Sequence, residues 1–438
     1  MKPKQVKNIL LSAIDYVADN PQNYCFDPDT NFKRTRKLPL KTMIKSIIGM
    51  GGGCLSNELL DMFKYSKETA TSSAFVQQRC KIKPQAFEDI FKTFLKNTNI
   101  STSSEMHILA IDGSDIQIAT NSDDIDTYHA GNGDKKAFNL LHLNALYDVE
   151  KNIYVDIEIQ KGKKKNEHRA LVDMVDRSEI KNALIIADRG YESYNNLAHI
   201  QEKGWKFLFR IKDGAHGIKS TFELPAEKSF DLQLDLNITR KQTKETKQLF
   251  KQKNSYKFIA SSSPFDYLPK KNKKNDPVQF YKLTFRIVRF KLSDGSYETI
   301  ITNLPMDEFP PEKIKALYAA RWGIETSFRA LKYTLGMLKF HSKKVMCIIQ
   351  EIYSQIIMYN FVEIITSHVI IKKKQRKYTY QVNFSIAVHI CKAFYKGIIT
   401  SPKMEAIIAK NLVPIRHERH CKRRVNNKVF QGFLYRIS

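Results

Sequence analysis

Two apolar runs in the chain each carry an acidic residue where a buried strand is expected. The first begins at His107 and reads HILAIDGSDIQIA, with Asp112 inside it; the second begins at Ala183 and reads ALIIADRGYES, with Asp188 near its middle. Short β-branched runs bounded by turn residues predict buried strands. An acid in such a strand is costly unless it is paired or binds a metal ion. Asp188 also follows the carboxyl end of its strand, where α/β proteins place their sites. Either Asp alone could equally be a helix cap or a turn former.

A third carboxylate lies on a predicted helix further along the chain. Residues 311–338 read PEKIKALYAARWGIETSFRALKYTLGML. At ~100° per residue, four polar side chains fall within an arc of about 60° beside an apolar stripe; they are Tyr318, Arg321, Glu325 and Lys332. A carboxylate can bind a metal ion, and the other three groups can bind phosphate oxygens. The alternative interpretation is a solvated face with an Arg321–Glu325 ion pair.

The three acids together predict a metal site. Asp112, Asp188 and Glu325 offer only hard oxygen ligands, which suit Mg²⁺ or Mn²⁺. Three carboxylates can hold two such ions about 3.5–4 Å apart. Such a site supports in-line attack at phosphorus without a covalent enzyme intermediate. Asp115 is a competing carboxylate that nothing in the local sequence excludes.

The charge balance indicates a polyanionic partner. Lys and Arg number 72 against 45 Asp and Glu, which gives a net charge of +27. Nucleic acid is the favoured partner, and a membrane surface is disfavoured because no basic amphipathic segment stands alone. The most apolar stretch, residues 345–371, contains several polar residues. It therefore predicts a buried or amphipathic helix rather than a membrane span.

The cysteines favour a reducing compartment. None of the six is in a C-x-x-C pair, so neither a disulfide scaffold nor a zinc ribbon is predicted. The N-terminal residues lack the apolar core of a signal peptide, and we expect a cytoplasmic protein. His417, His420 and Cys421 are crowded enough to suggest a metal knuckle, but a fourth ligand has no obvious place, so zinc is disfavoured.

With these motifs in order, the chain resembles the DDE transposases of bacterial insertion sequences, in particular the insertion-sequence-four family. That family has a first Asp in a D-G-[ST] strand, matched by Asp112-Gly113-Ser114, and a second Asp followed by R-G-Y, matched by Asp188-Arg189-Gly190-Tyr191. Its helix signature is Tyr, Arg, Glu and Lys separated by two, three and six residues, and the matching residues are Tyr318, Arg321, Glu325 and Lys332. The resemblance covers roughly residues 38–341.

The order of predicted elements agrees with an α/β fold. Three meandering strands, then helix, strand, helix and strand, is the order of an RNase H-like core. The resemblance implies a mixed five-stranded sheet flanked by helices, in which the first and fourth strands are neighbours, so that Asp112 and Asp188 meet. We predict five parts, which are a helical N-terminal DNA-binding region (1–104), the first part of the core (105–215), a β-rich insertion (216–304), the catalytic-helix part of the core (305–345) and a helical basic C-terminal region (346–438).

The two ends of the chain carry candidate DNA contacts. A helix capped by Thr71 carries Arg79 and Lys81, and helix, turn and capped basic helix are compatible with a DNA-binding head. A plain helical subdomain is the alternative; the resemblance favours the head, because S-A-F-x-Q-x-R occurs there in the family. From Ser401 onward there are nine Lys and Arg against two Glu. This tail is a candidate for DNA contact or dimerisation, and a merely solvated tail is equally compatible.

The resemblance implies a function for the whole chain. A transposase of this family would bind the inverted repeats at the element ends, cleave them by two-metal phosphoryl transfer and join them to target DNA, as a homodimer on double-stranded DNA in a bacterial or archaeal cytoplasm. Tyr318, Arg321 and Lys332 would contact phosphates or a flipped base, with Arg189 and Tyr191 in support. Two alternatives stay open: a metal-dependent nuclease of the same fold without strand transfer, and an inactive DNA-binding descendant of a transposase.

Overall fold

The computed structural model describes residues 1–34, 37–99, 105–133, 136–214, 217–270, 276–369 and 378–415, which form a mixed α/β fold. The N-terminal part is helical. Its helices are α1 Pro3–Asp19, α2 Pro21–Tyr24, α3 Leu40–Gly49, α4 Leu55–Met62, α5 Ser72–Arg79 and α6 Gln85–Asn97. The Thr71 hydroxyl accepts a hydrogen bond from the Ala74 amide (3.2 Å), so the predicted cap of α5 is confirmed.

The centre of the protein is one ten-stranded mixed sheet. Its strands are β1 His107–Ile118, β2 Tyr128–His129, β3 Phe138–Asp148, β4 Ile153–Lys161, β5 Ala183–Ala187, β6 Lys206–Arg210, β7 Phe230–Thr239, β8 Tyr256–Phe258, β9 Tyr281–Lys291 and β10 Tyr297–Thr302. The order across the sheet is β2-β3-β1-β5-β6-β10-β9-β7-β8, with β4 paired to β3. β1 is antiparallel to β3 and parallel to β5, so the predicted neighbours are confirmed.

The strands of the predicted insertion extend this sheet. β10 pairs antiparallel with β6, β9 pairs with β10, and β7 pairs with β9. The sheet is therefore larger than the five strands expected for the core, because the strands of the predicted insertion are continuous with it. The physical reason is that β6 would otherwise present a free row of N–H and C=O groups, and β10 satisfies them.

Helices cover both faces of the sheet. Those that follow β4 are α7 Glu167–Arg177, α8 Tyr194–Glu202, α9 Lys244–Leu249, α10 Pro311–Ala319, α11 Trp322–Arg329, α12 Val345–Thr366, α13 Phe384–Tyr395 and α14 Ser401–Lys410. Leu109 and Ile111 of β1 pack in one apolar cluster with α7 and α8, whereas Ala110 packs in another with α11 and α12. Alternate residues of a strand face opposite sides of the sheet, so β1 is buried on both faces. A separate two-stranded sheet joins β11 Tyr380–Val382 to β12 Leu412–Pro414.

Helix α12 packs against helices from both the N-terminal and the C-terminal parts of the described chain. It shares one hydrophobic cluster with α1, α3, α6 and α13. Among the described helices, only α12 is long and apolar enough to cross a membrane, and most of it is buried inside the protein. This burial confirms the expected core helix, and it shows that the N-terminal helices and α12 form a common core.

The predicted helix over residues 311–338 is not continuous. α10 begins at Pro311, whose fixed φ suits the first helical position. A turn at Ala320 and Arg321 separates α10 from α11, and residues Ala330–Leu335 form a π-helix. Gly336 then ends the segment with φ of 91°, a left-handed conformation that favours glycine. Because a π-turn changes the angle per residue, the position of Lys332 does not follow from α-helical counting.

Candidate active site

The register of two parallel strands brings two of the predicted acids together. Ala110 of β1 lies beside Ile186 of β5. Continuing that register by two residues puts Asp112 beside Asp188, which directly follows β5. Neighbouring strands lie about 4.8 Å apart, and residues in register face the same side of a sheet. The sequence-predicted pair therefore meets at the carboxyl end of β5.

Both carboxylates are partly held by backbone amides. Asp112 Oδ1 accepts a hydrogen bond from the Gly113 amide (2.8 Å), and Asp188 Oδ1 accepts one from the Gly190 amide (2.7 Å). Burial, followed by the charges of Asp188 and Glu325, raises the pKa of Asp112 to about 6, against opposing effects of the Gly113 amide and Arg321. Asp188 and Glu325 therefore lie close enough to Asp112 for their charges to act on it.

Glu325 and Arg321 form the ion pair that the sequence offered as an alternative. Arg321 Nη2 lies 2.8 Å from Glu325 Oε1. The pair is not a solvated surface feature, because the Arg321 side chain is largely buried and both charges act on Asp112. Although burial alone would lower it, the pKa of Arg321 is raised by Tyr318, Glu325 and Asp112. The guanidinium thus contacts the helix acid and lies within electrostatic reach of the strand acid.

Lys332 approaches the same site from the π-helix. Burial lowers the pKa of its ammonium group, and the carboxylates of Asp115 and Asp112 oppose that effect. The side chain therefore faces the acidic residues of β1. Arg321 and Lys332 together give the site two cations beside three carboxylates, a combination suited to holding a phosphate next to a metal ion.

Tyr318 does not share an open ledge with these groups. Only 7% of it is exposed, and it packs with Ile108, Leu184 and Ile314. The Arg321 guanidinium lies 5.7 Å from the centre of its ring, and within the described residues its hydroxyl has no hydrogen-bond partner. The structure thus places Tyr318 beneath Arg321 and away from the open surface.

Asp115, the competing acid, is already paired. His142 Nδ1 lies 2.6 Å from Asp115 Oδ1, and Lys165 Nζ lies 3.5 Å from the same oxygen. The hydrogen bond from His142, opposed by burial and aided by Lys165, lowers the pKa of Asp115 to about 2. Glu167 joins this network, with Oε1 3.1 Å from His142 Nε2 and 3.0 Å from Lys165 Nζ. Of these two acids on β1, Asp112 is therefore the one that remains available to bind a metal ion.

The sequence analysis missed His142, although a signal was present. It interrupts the apolar strand β3, and it lies directly opposite Asp115 on β1. It also explains the glycine after Asp112, because a Cβ at Gly113 would clash with His142 Nε2 and lie 3.0 Å from Glu167 Oε1. The D-G pair is thus needed for the close approach of this network to β1.

The expected DNA contact at Arg79 is wrong. Arg79 is 1% exposed, with Nη1 2.7 Å from Glu351 Oε1 and Nε 2.9 Å from Gln350 Oε1. Glu351 also accepts a hydrogen bond from the His341 amide (3.1 Å). A buried guanidinium needs such a counter-charge and acceptors, so its donors are not free for phosphate.

The remaining predicted residues differ in exposure. Lys81 is partly exposed and its DNA contact stays a prediction. Arg189 is exposed beside Asp188, whereas Tyr191 is buried, with its ring 6.4 Å from that of His168. Tyr191 therefore supports the turn after β5 by packing. His417, His420, Cys421 and the basic tail beyond residue 415 lie outside the described residues.

The carboxylates of the site are of the type that binds a metal ion, but their present spacing does not form a complete binding site. Within the described ranges, no group of three or more His, Cys, Asp or Glu side chains is arranged to hold a metal ion. However, Asp112 and Asp188 each have one oxygen that no described amide occupies. Burial, and after it the charges of Asp188 and Glu325, raise the pKa of Asp112, and a bound divalent cation would favour its ionised form. Asp112, Asp188 and Glu325 can serve as metal ligands once their three carboxylates are drawn together.

The pKa of Asp112 predicts an unusual pH dependence of stability. Because its folded-state pKa of about 6 lies above the ordinary 3.8, the folded protein binds this proton more tightly than the unfolded chain does. The free energy of unfolding therefore falls as the pH rises from about 4 to about 6. In EDTA, Asp112→Asn is expected to be more stable than wild type at pH 8 and to lose that advantage at pH 4, as measured by urea denaturation.

Asp115→Asn is the matched control, with the opposite sign. Its pKa of about 2 lies below the ordinary value, so its contribution to stability is present above about pH 4 and lost as the pH falls toward 2. Asp115→Asn should therefore be less stable than wild type at pH 8. Equal stability of Asp112→Asn and wild type at pH 8 would contradict the raised pKa of Asp112, whose causes are burial and then the neighbouring acids.

The part of the chain that holds the three acids matches a known protein family. The family model of the transposase DDE domain matches residues 103–361, which is more than half of the chain and includes all three acids. Among solved structures, the chain is similar to a piggyBac transposase in a synaptic complex with hairpin DNA, at 8% sequence identity and a TM-score of 0.45, over 98% of this chain and 88% of that chain. No curated protein matches the chain.

Proposed function

The chain belongs to the transposase DDE domain family, and we propose that it is the transposase of a DNA insertion sequence that cleaves the element ends and joins them to target DNA. The observation that carries the proposal is the convergence of Asp112, Asp188 and Glu325 with two cations, Arg321 and Lys332. The helix signature supports the insertion-sequence-four family in particular. The order β1, β3, β4, α7, β5, α8, β6 supports an RNase H-like core at the centre of the sheet.

In this proposal Asp112, Asp188 and Glu325 hold Mg²⁺ or Mn²⁺, and two bound ions would activate the attacking water or 3′-hydroxyl and stabilise the leaving oxygen. The protein's own cations act on the phosphate. Arg321, held by Glu325 and lying over the Tyr318 ring, presents a guanidinium fork, and Lys332 adds a point charge within electrostatic reach of Asp112. His142 and Lys165 keep Asp115 out of the ligand set.

The partners proposed are double-stranded DNA at the inverted repeats, target DNA, and a second copy of this chain on the DNA, in a cytoplasmic setting. The net charge of +27 supports a polyanionic partner. Because Arg79 is buried, the proposed contacts with the element ends shift from that side chain to more accessible cations such as the partly exposed Lys81.

An end-joining assay tests the proposed function. Labelled duplexes that carry the terminal inverted repeats of the element, with a plasmid as target, are expected to be cut and joined in Mg²⁺ or Mn²⁺ and left intact in EDTA, because the site offers only hard oxygen ligands. Duplexes with scrambled ends serve as the control. Cleavage without joining would favour the simple nuclease, and specific binding without cleavage in Mg²⁺ would favour the inactive descendant.

The two site cations are expected to matter for every chemical step. Arg321→Ala or Lys332→Ala removes a charge-assisted phosphate contact worth ~1.5–3 kcal/mol, so end cleavage and joining should slow roughly 10- to 100-fold. Single-turnover rates on pre-bound ends measure this effect. Lys313→Ala removes an exposed cation from α10 and serves as the control. Wild-type rates in both site variants would remove these cations from the mechanism and put the nuclease first.

A further inference from the structure

Two cysteine side chains meet where the N-terminal helices pack against α12. Cys80 directly follows α5, and Cys347 lies in the first turn of α12. Their sulfur atoms are 3.9 Å apart, although 267 residues separate them along the chain. A disulfide bond joins two sulfurs at about 2.05 Å, so the pair must close by ~2 Å. Rotation of these short side chains about their Cα–Cβ bonds moves the sulfurs on that scale.

The two thiols differ in their access to solvent. Cys80 is partly exposed, whereas Cys347 is 0% exposed. A dissolved oxidant therefore reaches Cys80 first and finds Cys347 as a second thiol behind it. Cysteines that respond to oxidants have this arrangement, in which an accessible thiol is oxidised and a neighbouring thiol then resolves it.

The buried thiol has groups around it that stabilise negative charge on its sulfur. Burial raises the pKa of the Cys347 thiol, and the charge of Arg79 and a hydrogen bond from Ser342 oppose that effect. The Arg79 guanidinium also donates a hydrogen bond to the Cys347 carbonyl, which holds it at this position. The first turn of α12 adds the partial positive charge of a helix N-terminus. These groups favour the thiolate at the sulfur that must attack an oxidised neighbour.

We propose that Cys80 and Cys347 form an oxidation site, at which hydrogen peroxide converts the two thiols into a disulfide bond between the end of α5 and α12. The Cys80 thiolate attacks one peroxide oxygen, the O–O bond breaks, water leaves, and Cys80 becomes a sulfenic acid. The Cys347 thiolate then attacks the Cys80 sulfur and displaces hydroxide, which takes up the proton of the Cys347 thiol and leaves as water. Two thiols and one hydrogen peroxide thus give one disulfide and two waters.

The oxidation site suits a reducing compartment and involves none of the residues of the candidate active site. Disulfides in such compartments are usually transient, and thiol reductants reverse them. The site therefore does not depend on the proposed function.

The disulfide strengthens the contact between the N-terminal helices and α12. Beside it lies the buried ion pair of Arg79 with Glu351, which connects the same two parts of the chain. A cross-link that closes a long loop stabilises the folded state mainly by restricting the unfolded chain. Oxidised wild-type protein should therefore unfold at a higher urea concentration than reduced protein, with a midpoint shift of roughly 1 M.

Peptide mapping of the full-length wild-type protein tests the site directly. The reduced protein is treated with hydrogen peroxide, denatured, and its remaining thiols are alkylated. We expect the free thiols to fall from six to four per chain, because two of the six cysteines become linked. A non-reduced digest should contain one peptide pair that joins Cys80 to Cys347, and dithiothreitol should separate it.

Serine variants separate the roles of the two thiols. Cys347→Ser removes the resolving thiol, so the sulfenic acid at Cys80 should persist and be trapped by dimedone. Cys80→Ser leaves only the buried thiol, which should form neither a dimedone adduct nor a linked pair, and its urea midpoint should not shift with peroxide. Cys54→Ser removes another partly exposed cysteine and is the matched control, which should cross-link as wild type does. Circular dichroism checks that each variant folds.

Three results would overturn the proposal. The first is a set of linked peptides in the oxidised wild type that does not include the pair of Cys80 with Cys347. The second is a sulfenic acid at Cys80 that persists in wild type as it does in Cys347→Ser, because Cys347 would then not resolve it. The third is an oxidised midpoint at or below the reduced one, because the bond would then not form between two folded neighbours.

Discussion

Replacing Asp112 with Asn is expected to abolish end cleavage and joining while DNA binding and the fold persist. Asn has nearly the same shape and can still accept the hydrogen bond from the Gly113 amide, but it loses the charge that a divalent ion needs. Losing a ligand of the metal site removes several kcal/mol of transition-state stabilisation, so the rate should fall on the order of 1,000-fold or more. Asp188→Asn and Glu325→Gln should behave alike.

The measurement is a single-turnover cleavage assay on labelled ends, with electrophoretic mobility shifts to follow binding. Asp294→Asn, which removes an exposed acid from the turn between β9 and β10, controls for a general loss of negative charge. Full cleavage by any one of the three site variants would take that acid out of the site. Weakened binding in all three would point instead to a defect in DNA recognition.

Arg79→Ala is expected to cause the largest loss of stability, about 3–5 kcal/mol in the free energy of unfolding. The substitution leaves Glu351 in the core as a charge without its guanidinium partner, with a side chain only 3% exposed. It also frees Gln350 Oε1 and the Cys347 carbonyl from their donor. Urea denaturation followed by circular dichroism at pH 7 measures the loss.

Two comparisons make this second prediction specific. Lys92→Ala breaks the partly exposed pair with Glu88 and should cost no more than ~1 kcal/mol. Replacing Arg79 and Glu351 together by Met should restore much of the loss, because a buried pair exchanged for apolar residues is often nearly neutral. A loss below 1 kcal/mol in Arg79→Ala would mean that the cluster relaxes or takes up water.

The pH dependence of this pair also has a defined sign. Although burial alone would raise it, the charges of Arg79 and His341 lower the pKa of Glu351 to about 2, below its ordinary 4.5. The contribution of the wild-type pair is therefore present above about pH 4.5 and lost as the pH falls toward 2. The difference between wild type and Arg79→Ala should shrink over that range.

Local sequence pattern was sufficient for the strands that position the acids. β1 and β5 are short apolar runs with turn residues around them, and such a pattern depends only on burial. The resemblance then supplied their adjacency, which the parallel register confirms. Asp112 and Asp188 could be placed for this reason before any distance was known.

Features that depend on partners far along the chain could not be predicted. Nothing near Arg79 indicates a partner 272 residues away, and a helix that ends in Arg normally faces solvent. The pairing of β10 with β6 depends in the same way on an edge left open nearly a hundred residues earlier. The π-helix was missed for another reason: residues 330–335 keep an α-like apolar spacing, so the pattern carries no sign of the altered backbone.

The shared core of the N-terminal helices and α12 has a consequence for synthesis on the ribosome. The apolar faces of α1, α3 and α6 are covered by a helix that begins at Val345. At 5–20 residues per second, the roughly 250 residues between α6 and α12 take ~12–50 s to emerge. During that interval the nascent chain carries uncovered apolar helices, and exposed apolar surface of this kind favours aggregation. A truncated product that stops before α12 would keep those apolar faces uncovered and would be a substrate for proteolysis.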